Sequence, residues 1–311
     1  MSVDIRFRFT RHPLSITAHA IGSSTLHLSQ SDLLLLILSI YALVLMNKMS
    51  SSVEKRFQDD ADKYATYLET PEGRLRLDLA FANVQELLPQ TTRSLHALDL
   101  GGGTGALAVR LARLGFHVTL LDASLPMLEY AKRAAHEAEV AERVVLKHGE
   151  AAELSGLFDA GSLGLILCHN LLEFVDDPSA VLRSAARALR DSGLISILVR
   201  NRPGEVLKAA LLSGDLAAAQ NSLIADWGEE SLYGGRVRLF TAENLRAMLE
   251  EASLKVIVER GVRIVSDYLP PTISRADEYE RIFDLERKLG SRPEFSAVAR
   301  YTHILARRAV R

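Results

Sequence analysis

Hydrophobic and polar residues follow two alternating periods from residue 50 onward. Short apolar runs bounded by turn residues predict buried strands, and longer segments with apolar residues three and four positions apart predict helices between them. This alternation is typical of an α/β domain with a mostly parallel sheet flanked by helices. We expect the terminal pair of strands to include one antiparallel member. The seven predicted strands are 95–100, 117–121, 144–147, 164–168, 194–199, 255–265 and 300–306.

Several of the intervening helices carry start signals. Thr70 is a candidate N-cap before a proline at the first helical position, so we expect a helix from there to about Leu88. Thr241 is placed to cap another at 242–252. After the fifth strand the rhythm breaks, and residues 201–240 are expected to form a helical cap or lid. The remaining predicted helices are 106–114, 126–138 and 179–189.

The first 49 residues depart from this pattern. An apolar run from Leu33 to Met46 is shorter than the roughly 18–20 residues that span a bilayer, and no small-x-small cleavage site follows it. Three interpretations are open: a membrane anchor, a buried or partner helix, or a segment preceding the natural start at Met46 or Met49. We favour the last, because the globular pattern begins at residue 50. The expected organisation is an extension, 1–49, and one domain, 50–311.

Composition narrows the functional classes. The 311 residues carry 37 Lys+Arg and 39 Asp+Glu, a formal net charge of −2, so binding of nucleic acid would need a local basic patch. The single cysteine, Cys168, excludes an internal disulfide framework and a cysteine-based metal site. We expect it to be a small buried hydrophobe in a cytoplasmic protein, with no bound metal.

A glycine-rich turn is the strongest chemical signal. A hydrophobic strand leads into Gly101–Gly105 and then into a helix, an arrangement in which glycine lets a nucleotide approach the backbone. Asp122 ends the second strand, where a carboxylate can accept hydrogen bonds from ribose hydroxyls. These features indicate an adenosine-containing ligand. The loose dinucleotide fingerprint at 101–106 keeps an NAD(P)-dependent oxidoreductase open as an alternative, against which Asp99 argues.

The pattern Asp-x-Gly-x-Gly-x-Gly at 99–105 resembles motif I of class I S-adenosylmethionine-dependent methyltransferases. Residues 120–131, 158–178 and 188–194 are similar to three further motifs of that family, in the same order and spacing. The resemblance implies a Rossmann-like fold with a seven-stranded sheet, and S-adenosyl-L-methionine as the cofactor.

A narrower resemblance covers roughly residues 54–308. Residues 57–76, 169–173, 261–269 and 300–303 look like the bacterial tRNA 5-carboxymethoxyuridine methyltransferases. The cofactor-binding positions that the two resemblances imply are Arg76, Asp99, Gly101, Gly102, Gly103, Asp122, Ala151, Ala152 and His169.

The narrower family makes a methyl ester from a carboxylate. Since a carboxylate is already ionised at neutral pH, the enzyme needs no general base and must instead bind and align the anion, a task suited to arginine. The candidates are Arg300 with Tyr301, followed by Arg200 and Arg263.

The acceptor is left open by the sequence. The resemblance implies tRNA, which a patch of arginines near the cap and the last strands would have to hold. A small-molecule carboxyl, O- or N-methyltransferase is the alternative. A third class is a membrane-tethered module that binds the cofactor without catalysis, with membrane association only through residues 33–46.

Overall fold

The computed structural model describes residues 60–89, 95–230, 232 and 234–309. The expectations for the N-terminal extension and its apolar segment lie outside these ranges. Seven strands form one sheet and two form a separate hairpin. The sheet strands are β1 (His96–Leu100), β2 (His117–Asp122), β3 (Val144–His148), β4 (Leu163–His169), β5 (Leu189–Arg200), β8 (Leu254–Val262) and β9 (Tyr301–Arg308), and the hairpin strands are β6 (Trp227–Glu229) and β7 (Arg236–Arg238).

Helices cover the sheet and form the cap. They are α1 (Ala61–Glu69), α2 (Pro71–Gln85), α3 (Ala106–Arg113), α4 (Leu125–Glu137), α5 (Leu154–Leu157), α6 (Pro178–Ala188), α7 (Arg202–Leu211), α8 (Leu216–Ser222), α9 (Ala242–Glu251), α10 (Tyr279–Gly290) and α11 (Pro293–Ser296). Both expected caps form: Thr70 Oγ1 accepts from the Gly73 N–H at 3.1 Å, and Thr241 Oγ1 accepts from the Asn244 N–H at 3.2 Å. Within the described ranges, no helix combines the length and apolarity needed to cross a bilayer.

The strand order is β3-β2-β1-β4-β5-β9-β8, and β9 runs antiparallel to both of its neighbours. This confirms the predicted mostly parallel, seven-stranded sheet with one antiparallel member in its last pair. The topology reverses between β1 and β4, which places the ends of both strands at the crevice where α/β sheets bind ligands.

Two segments differ from the sequence-based expectation. Strand β5 begins at Leu189 rather than at 194, because the chain pairs with β4 on both sides of a bulge in which Ser192 takes a left-handed φ of +59°. The cap contains α7 and α8 as expected, but it also contains the β6–β7 hairpin, in which Trp227 pairs with Arg238. The cap is therefore mixed rather than purely helical.

Side-chain alternation along β4 separates two environments. Ile166 and Cys168 point into the apolar core under α6 and α9, and both are almost completely buried. Cys168 is thus the small buried hydrophobe that we expected. His169 lies on the other face, towards α2, together with the polar side chains of neighbouring strands. The chemistry of the domain is concentrated on that second face.

Candidate active site

The glycine turn after β1 is shaped by close backbone approaches. Gly101 has a φ of +68°, the left-handed region that favours glycine, and a Cβ there would lie 2.9 Å from Leu171. A Cβ on Gly102 would lie 2.7 Å from the side chains of both Asp99 and Leu120. The turn therefore excludes side chains at these two positions, which leaves its main chain exposed to a ligand.

A buried acid, Asp99, and a half-buried acid, Asp122, lie beside this turn. Asp99 is 3% exposed, and its Oδ2 atom has no hydrogen-bond partner among the described residues. Burial, reinforced by the charge of Asp122, raises the pKa of Asp99 to about 7. Asp122 accepts hydrogen bonds from the N–H groups of Gly103 and Ser124, both at 2.8 Å, and burial raises its pKa as well. The Oδ2 oxygen of Asp99 is itself buried and retains an unused capacity to accept a hydrogen bond.

A cavity of about 420 Å³ opens at this turn. That volume includes space that is open to solvent. It lies against α1 and α2 on one side and the ends of β1 and β4 on the other. The lining residues are Tyr64, Leu68, Arg76, Leu77, Ala80, Asp99, Gly101, Gly102, Thr104, Ala106, Leu107, His169, Asn170 and Leu198.

Five of the nine predicted cofactor positions thus line one cavity, namely Arg76, Asp99, Gly101, Gly102 and His169. The other four do not line it. Gly103 faces the Tyr64 ring at 3.5 Å from its Cβ position, and Asp122 binds the turn. Ala151 is buried and Ala152 exposed in a short 3₁₀ helix after β3. Their roles stay predictions.

Arg76 reaches the cavity from α2, where Thr70 and Pro71 fix the start of the helix. Its guanidinium donates to the Tyr64 hydroxyl at 2.9 Å and lies 5.2 Å from the Tyr67 ring centre. The side chain is only 5% exposed, so it is not a solvated surface charge.

His169 ends β4 and is half-buried. Its Nε2 lies 2.8 Å from Ser196 Oγ on the neighbouring strand β5. Burial, together with the nearby charge of Arg76, lowers the pKa of His169 to about 3. The ring is therefore neutral at physiological pH and is a weak base.

Next to the cavity, four arginines surround Tyr301 at the start of β9. Their charges outweigh the effect of burial, which alone would raise the tyrosine pKa, and lower the pKa of Tyr301 to about 8. We call this group the arginine cluster; it consists of Arg76, Arg200, Arg263, Arg300 and Tyr301. The three arginines predicted to clamp a carboxylate are thus brought together with a cofactor candidate, Arg76, and each is 7–8% exposed.

Protein carboxylates accompany the cluster. Arg200 forms ion pairs with Glu230 and, at 3.1 Å, with Glu205. Arg300 Nη1 lies 3.2 Å from the same Glu205 oxygen. Since Glu205 is shared between the two guanidinium groups and Glu230 pairs with Arg200, Arg300 has no carboxylate of its own among the described residues.

Arg263 is held by a different set of contacts. It has a left-handed φ of +61°, donates to Asp267 through Nε at 2.8 Å, and donates to the Tyr67 hydroxyl at 2.8 Å. The buried Glu286 carboxylate fixes this loop by accepting from the N–H groups of Ile264 and the two residues after it. Tertiary contacts thus hold the backbone of Arg263 in its strained conformation.

The cluster keeps an excess of positive charge. Its four guanidinium groups face three carboxylates, those of Glu205, Glu230 and Asp267. Lys208 lies 3.7 Å from Glu205 and adds one cation, while the buried Glu173 adds one acid whose pKa is raised by burial. Among these described groups one positive charge therefore remains unbalanced, and an anion entering the cluster would neutralise it.

Some residues of the cavity and of the arginine cluster were not predicted from the sequence. Tyr64, Thr104 and Asn170 line the cavity, and Glu205 and Glu230 balance the arginines. Thr104 could have been found from its place inside the glycine turn. The two glutamates carry no local signal, since their partners lie in other segments of the chain.

Comparison with known sequences identifies relatives of this arrangement. A family described as "Methyltransferase domain" matches residues 72–259, more than half of the chain. The tRNA 5-carboxymethoxyuridine methyltransferase of Escherichia coli (strain K12) is 28% identical over 263 residues, which cover 82% of this chain and 97% of that protein. A ubiquinone biosynthesis O-methyltransferase of Xanthomonas oryzae pv. oryzae is 33% identical over 145 residues, covering 46% of this chain and 53% of the other.

Solved structures share the fold at low sequence identity. A SAM-dependent methyltransferase from Thermotoga maritima superimposes with a TM-score of 0.54 at 16% identity, over 82% of this chain and 99% of that one. A geranyl diphosphate C-methyltransferase from Streptomyces coelicolor A3(2), solved with S-adenosyl-L-homocysteine, gives a TM-score of 0.50 at 17% identity, over 75% of this chain and 76% of the other. These likenesses support the architecture of the sheet and its helices.

Proposed function

The chain belongs to the methyltransferase domain family, and from that premise we propose that it methylates the carboxylate of 5-carboxymethoxyuridine in tRNA. It is an S-adenosylmethionine-dependent methyltransferase. The observation that carries the choice of acceptor is the arginine cluster, a buried site with excess positive charge beside the cofactor cavity. The Escherichia coli relative, matched over nearly its whole length, supports the same acceptor.

The cavity at the glycine turn fits the cofactor. Class I enzymes hold an adenosine and an amino-acid moiety, and the open main chain of Gly101 and Gly102 with the unpartnered Asp99 oxygen offers both acceptors and donors for such a ligand. When bound, S-adenosylmethionine supplies a methyl group on a positively charged sulfur. His169, being neutral, adds no repelling charge to that environment.

The arginine cluster fits the acceptor. A carboxylate at neutral pH is ionised and nucleophilic, so the protein needs to bind it, align it and exclude water. Arg300 and Arg200 share Glu205, and since Glu230 also pairs with Arg200, Arg300 is the guanidinium best placed to bind a further carboxylate. Transfer forms an oxygen–carbon bond as the sulfur–carbon bond breaks, and no proton has to be removed.

A carboxylate acceptor differs from a phenol because its methylation requires no proton transfer. The ubiquinone-pathway relatives are named as O-methyltransferases, and such hydroxyl acceptors must lose a proton during methylation. The imidazoles nearest the cavity, His169 and His303, both have their pKa values lowered by burial, which makes them poor bases. The low basicity of these two imidazoles therefore supports a carboxylate rather than a hydroxyl acceptor.

The β6–β7 hairpin supplies a surface suited to RNA. Trp227 is half-buried, and the guanidinium groups of Arg236 and Arg238 lie 4.8 Å and 4.7 Å from its ring centre. An aromatic ring with flanking cations can stack a base and contact phosphate. The two arginines give the hairpin a local positive charge, although the whole chain has a net charge of −2.

The experiment is methyl transfer to tRNA followed by mass spectrometry of its nucleosides. The substrate is tRNA from a strain that lacks this gene, and unmodified transcript of the same sequence is the control. We expect the methyl ester of 5-carboxymethoxyuridine to form on the first and not on the second. Transfer to neither RNA, with the protein still binding S-adenosylhomocysteine, would reject this acceptor.

The clamp is tested with Arg300→Ala. We expect turnover to fall by more than about 100-fold while S-adenosylhomocysteine binding by calorimetry is retained, because the lost contact is to the acceptor. Arg246→Ala is the matched control, since the Arg246 side chain is 51% exposed and pairs with Glu259 on the surface. Full activity of Arg300→Ala would remove Arg300 from the proposed site.

A further inference from the structure

A chain of four polar side chains crosses the interior behind the cofactor cavity. Asn83 Nδ2 lies 3.0 Å from His303 Nδ1, and His303 Nε2 lies 2.7 Å from Ser196 Oγ. The same Ser196 Oγ lies 2.8 Å from His169 Nε2. We call this set the polar chain; it links helix α2 through β9 and β5 to the end of β4.

Of its four members, only His169 lines the cavity. Ser196 and His303 are completely buried and Asn83 is 7% exposed, at positions where apolar residues would ordinarily pack. Burying three polar groups is costly unless all of them are hydrogen-bonded, which the polar chain achieves. Hydrogen bonds are directional, so this arrangement fixes the orientation of the His169 ring. Apolar packing would not do so.

The direction of the polar chain follows from the chemistry of its members. The amide nitrogen of Asn83 can only donate, so His303 accepts at Nδ1 and carries its proton on Nε2. That proton is donated to Ser196 Oγ, whose own hydroxyl proton is then donated to His169 Nε2. His169 consequently carries its proton on Nδ1.

Both imidazoles remain neutral, so protonation does not reverse this order of donors and acceptors. Burial and the Arg76 charge lower the pKa of His169 to about 3, and burial lowers the pKa of His303 well below its ordinary range. The structure gives His169 Nδ1 no hydrogen-bond partner among the described residues. The ring is therefore a neutral donor whose N–H is left for a ligand.

We propose that Asn83, His303 and Ser196 are positioning residues that hold His169 as the Nδ1–H tautomer, so that the cofactor cavity is offered a neutral N–H donor. Its ligand is an oxygen acceptor of the bound cofactor, either carboxylate or hydroxyl. A neutral donor binds such an oxygen without adding a further positive charge to a cavity that already contains Arg76. The inference rests on the cofactor-binding part of the proposed function and is independent of the methyl acceptor.

The direct test is the tautomeric state of His169 by long-range ¹H–¹⁵N correlation spectroscopy on the ¹⁵N-histidine-labelled full chain without ligand. The chain has nine histidines, and His169 is assigned as the set of signals that disappears in His169→Gln. We expect the Nδ1–H pattern, which is the less common form of neutral histidine in water. An Nε2–H pattern would mean that His169 donates to Ser196, and it would overturn the proposal.

Variants of the polar chain show whether it causes that state. Ser196→Ala breaks the contact at His169, and we expect its signals to move to the Nε2–H pattern and the Kd for S-adenosylhomocysteine to rise about tenfold. Ser196→Thr keeps a hydroxyl at the same place and should keep both properties. A Ser196→Ala protein with the wild-type tautomer and affinity would overturn the proposal.

A variant remote from the cavity makes the test independent of local repacking. Asn83→Leu removes the donor that orders the polar chain but leaves Ser196 and His169 in place. We expect a mixture of both His169 tautomers, and an unchanged pure Nδ1–H pattern would reject the role of Asn83. If the wild-type protein failed to bind S-adenosylhomocysteine, the cofactor assignment would fail while these spectra still decided the tautomer.

Discussion

The glycine turn and the arginine cluster are adjacent but are built in opposite ways. The turn is made from consecutive residues and provides main-chain groups, and two acids beside it, Asp99 and Asp122, have raised pKa values. The arginine cluster is made from four separate segments, and its charges lower the pKa of Tyr301. One half is thus suited to a ligand with neutral and cationic groups, and the other to an anion.

Arg76 belongs to both regions, since it lines the cofactor cavity and lies 5.8 Å from the Tyr301 ring centre. The contrast teaches that neighbouring strand ends can serve two charge environments, since His169 at the end of β4 lines the cavity and Arg200 at the end of β5 belongs to the arginine cluster. Single substitutions can weaken either region alone.

Arg200→Ala should have the largest effect on stability. Removing one member of a buried ion pair leaves Glu230 without its guanidinium partner and Glu205 with only Arg300 and Lys208, which typically costs about 3–5 kcal/mol. Urea unfolding followed by circular dichroism measures the loss. Arg246→Ala removes an exposed pair and should cost about 0–1 kcal/mol. Equal losses in the two variants would mean that the cluster is no more desolvated than the surface.

Gly102→Val tests the glycine turn in the same way. Its Cβ would lie 2.7 Å from the side chains of Asp99 and Leu120, so we expect destabilisation by about 1–3 kcal/mol and loss of S-adenosylhomocysteine binding. Gly156→Ala is the control, because no atom lies within 4 Å of a Cβ there. Calorimetry showing tight binding by Gly102→Val would contradict the close approach of ligand to this backbone.

The two regions also differ in how far the sequence predicts them. The turn and its acids follow from contiguous residues, because a strand, a run of glycines and a helix determine one another locally. Arg200 was predicted from its place at a strand end, and Arg263 and Arg300 from resemblance to a family. Their partners Glu205 and Glu230 could not be predicted, since ion pairs between separate segments exist only after folding.

The same limit explains the differences in the fold. Alternation of apolar residues located all seven sheet strands to within a few residues, but the bulge at Ser192 extended β5 backwards through a segment that looked like a turn. The β6–β7 hairpin was missed because its strands are three residues long, too short for a period of two to show. Asn83, Ser196 and His303 gave no signal that they would meet.

Asp99→Asn should change the pH dependence of stability. The folded-state pKa of Asp99 is about 7, above the usual value near 4, so the native state binds more protons than the unfolded state between these values. Stability from this group is full below about pH 4 and is lost as pH rises to 7. We expect the substitution to flatten that fall by at most roughly 1 kcal/mol per pH unit, measured by urea unfolding at pH 5, 6 and 7. Parallel pH profiles for both proteins would show that Asp99 is not desolvated.

The smallest effect is spectroscopic and tests the charge of the arginine cluster directly. Burial disfavours ionisation of Tyr301, but four guanidinium charges lower its pKa to about 8, below the usual value near 10. The contribution of this group to stability is present above about pH 10 and is lost as pH falls through 8. A tyrosinate absorbance step near pH 8 should therefore appear in the wild-type protein and be missing in Tyr301→Phe. Titration of the wild-type protein with no step below pH 10 would contradict the positive charge that we assign to the cluster.

The same absorbance step distinguishes an anion site from a purely structural set of ion pairs. A carboxylate bound among the arginines adds a negative charge beside Tyr301, so 5-carboxymethoxyuridine nucleoside should move the step to higher pH. Uridine has the same base and sugar but no carboxylate, and it should leave the step unchanged. If neither nucleoside moved the step at concentrations that saturate binding, the acceptor would lie outside the cluster, and the excess charge would serve only to hold β5, β9 and the cap together.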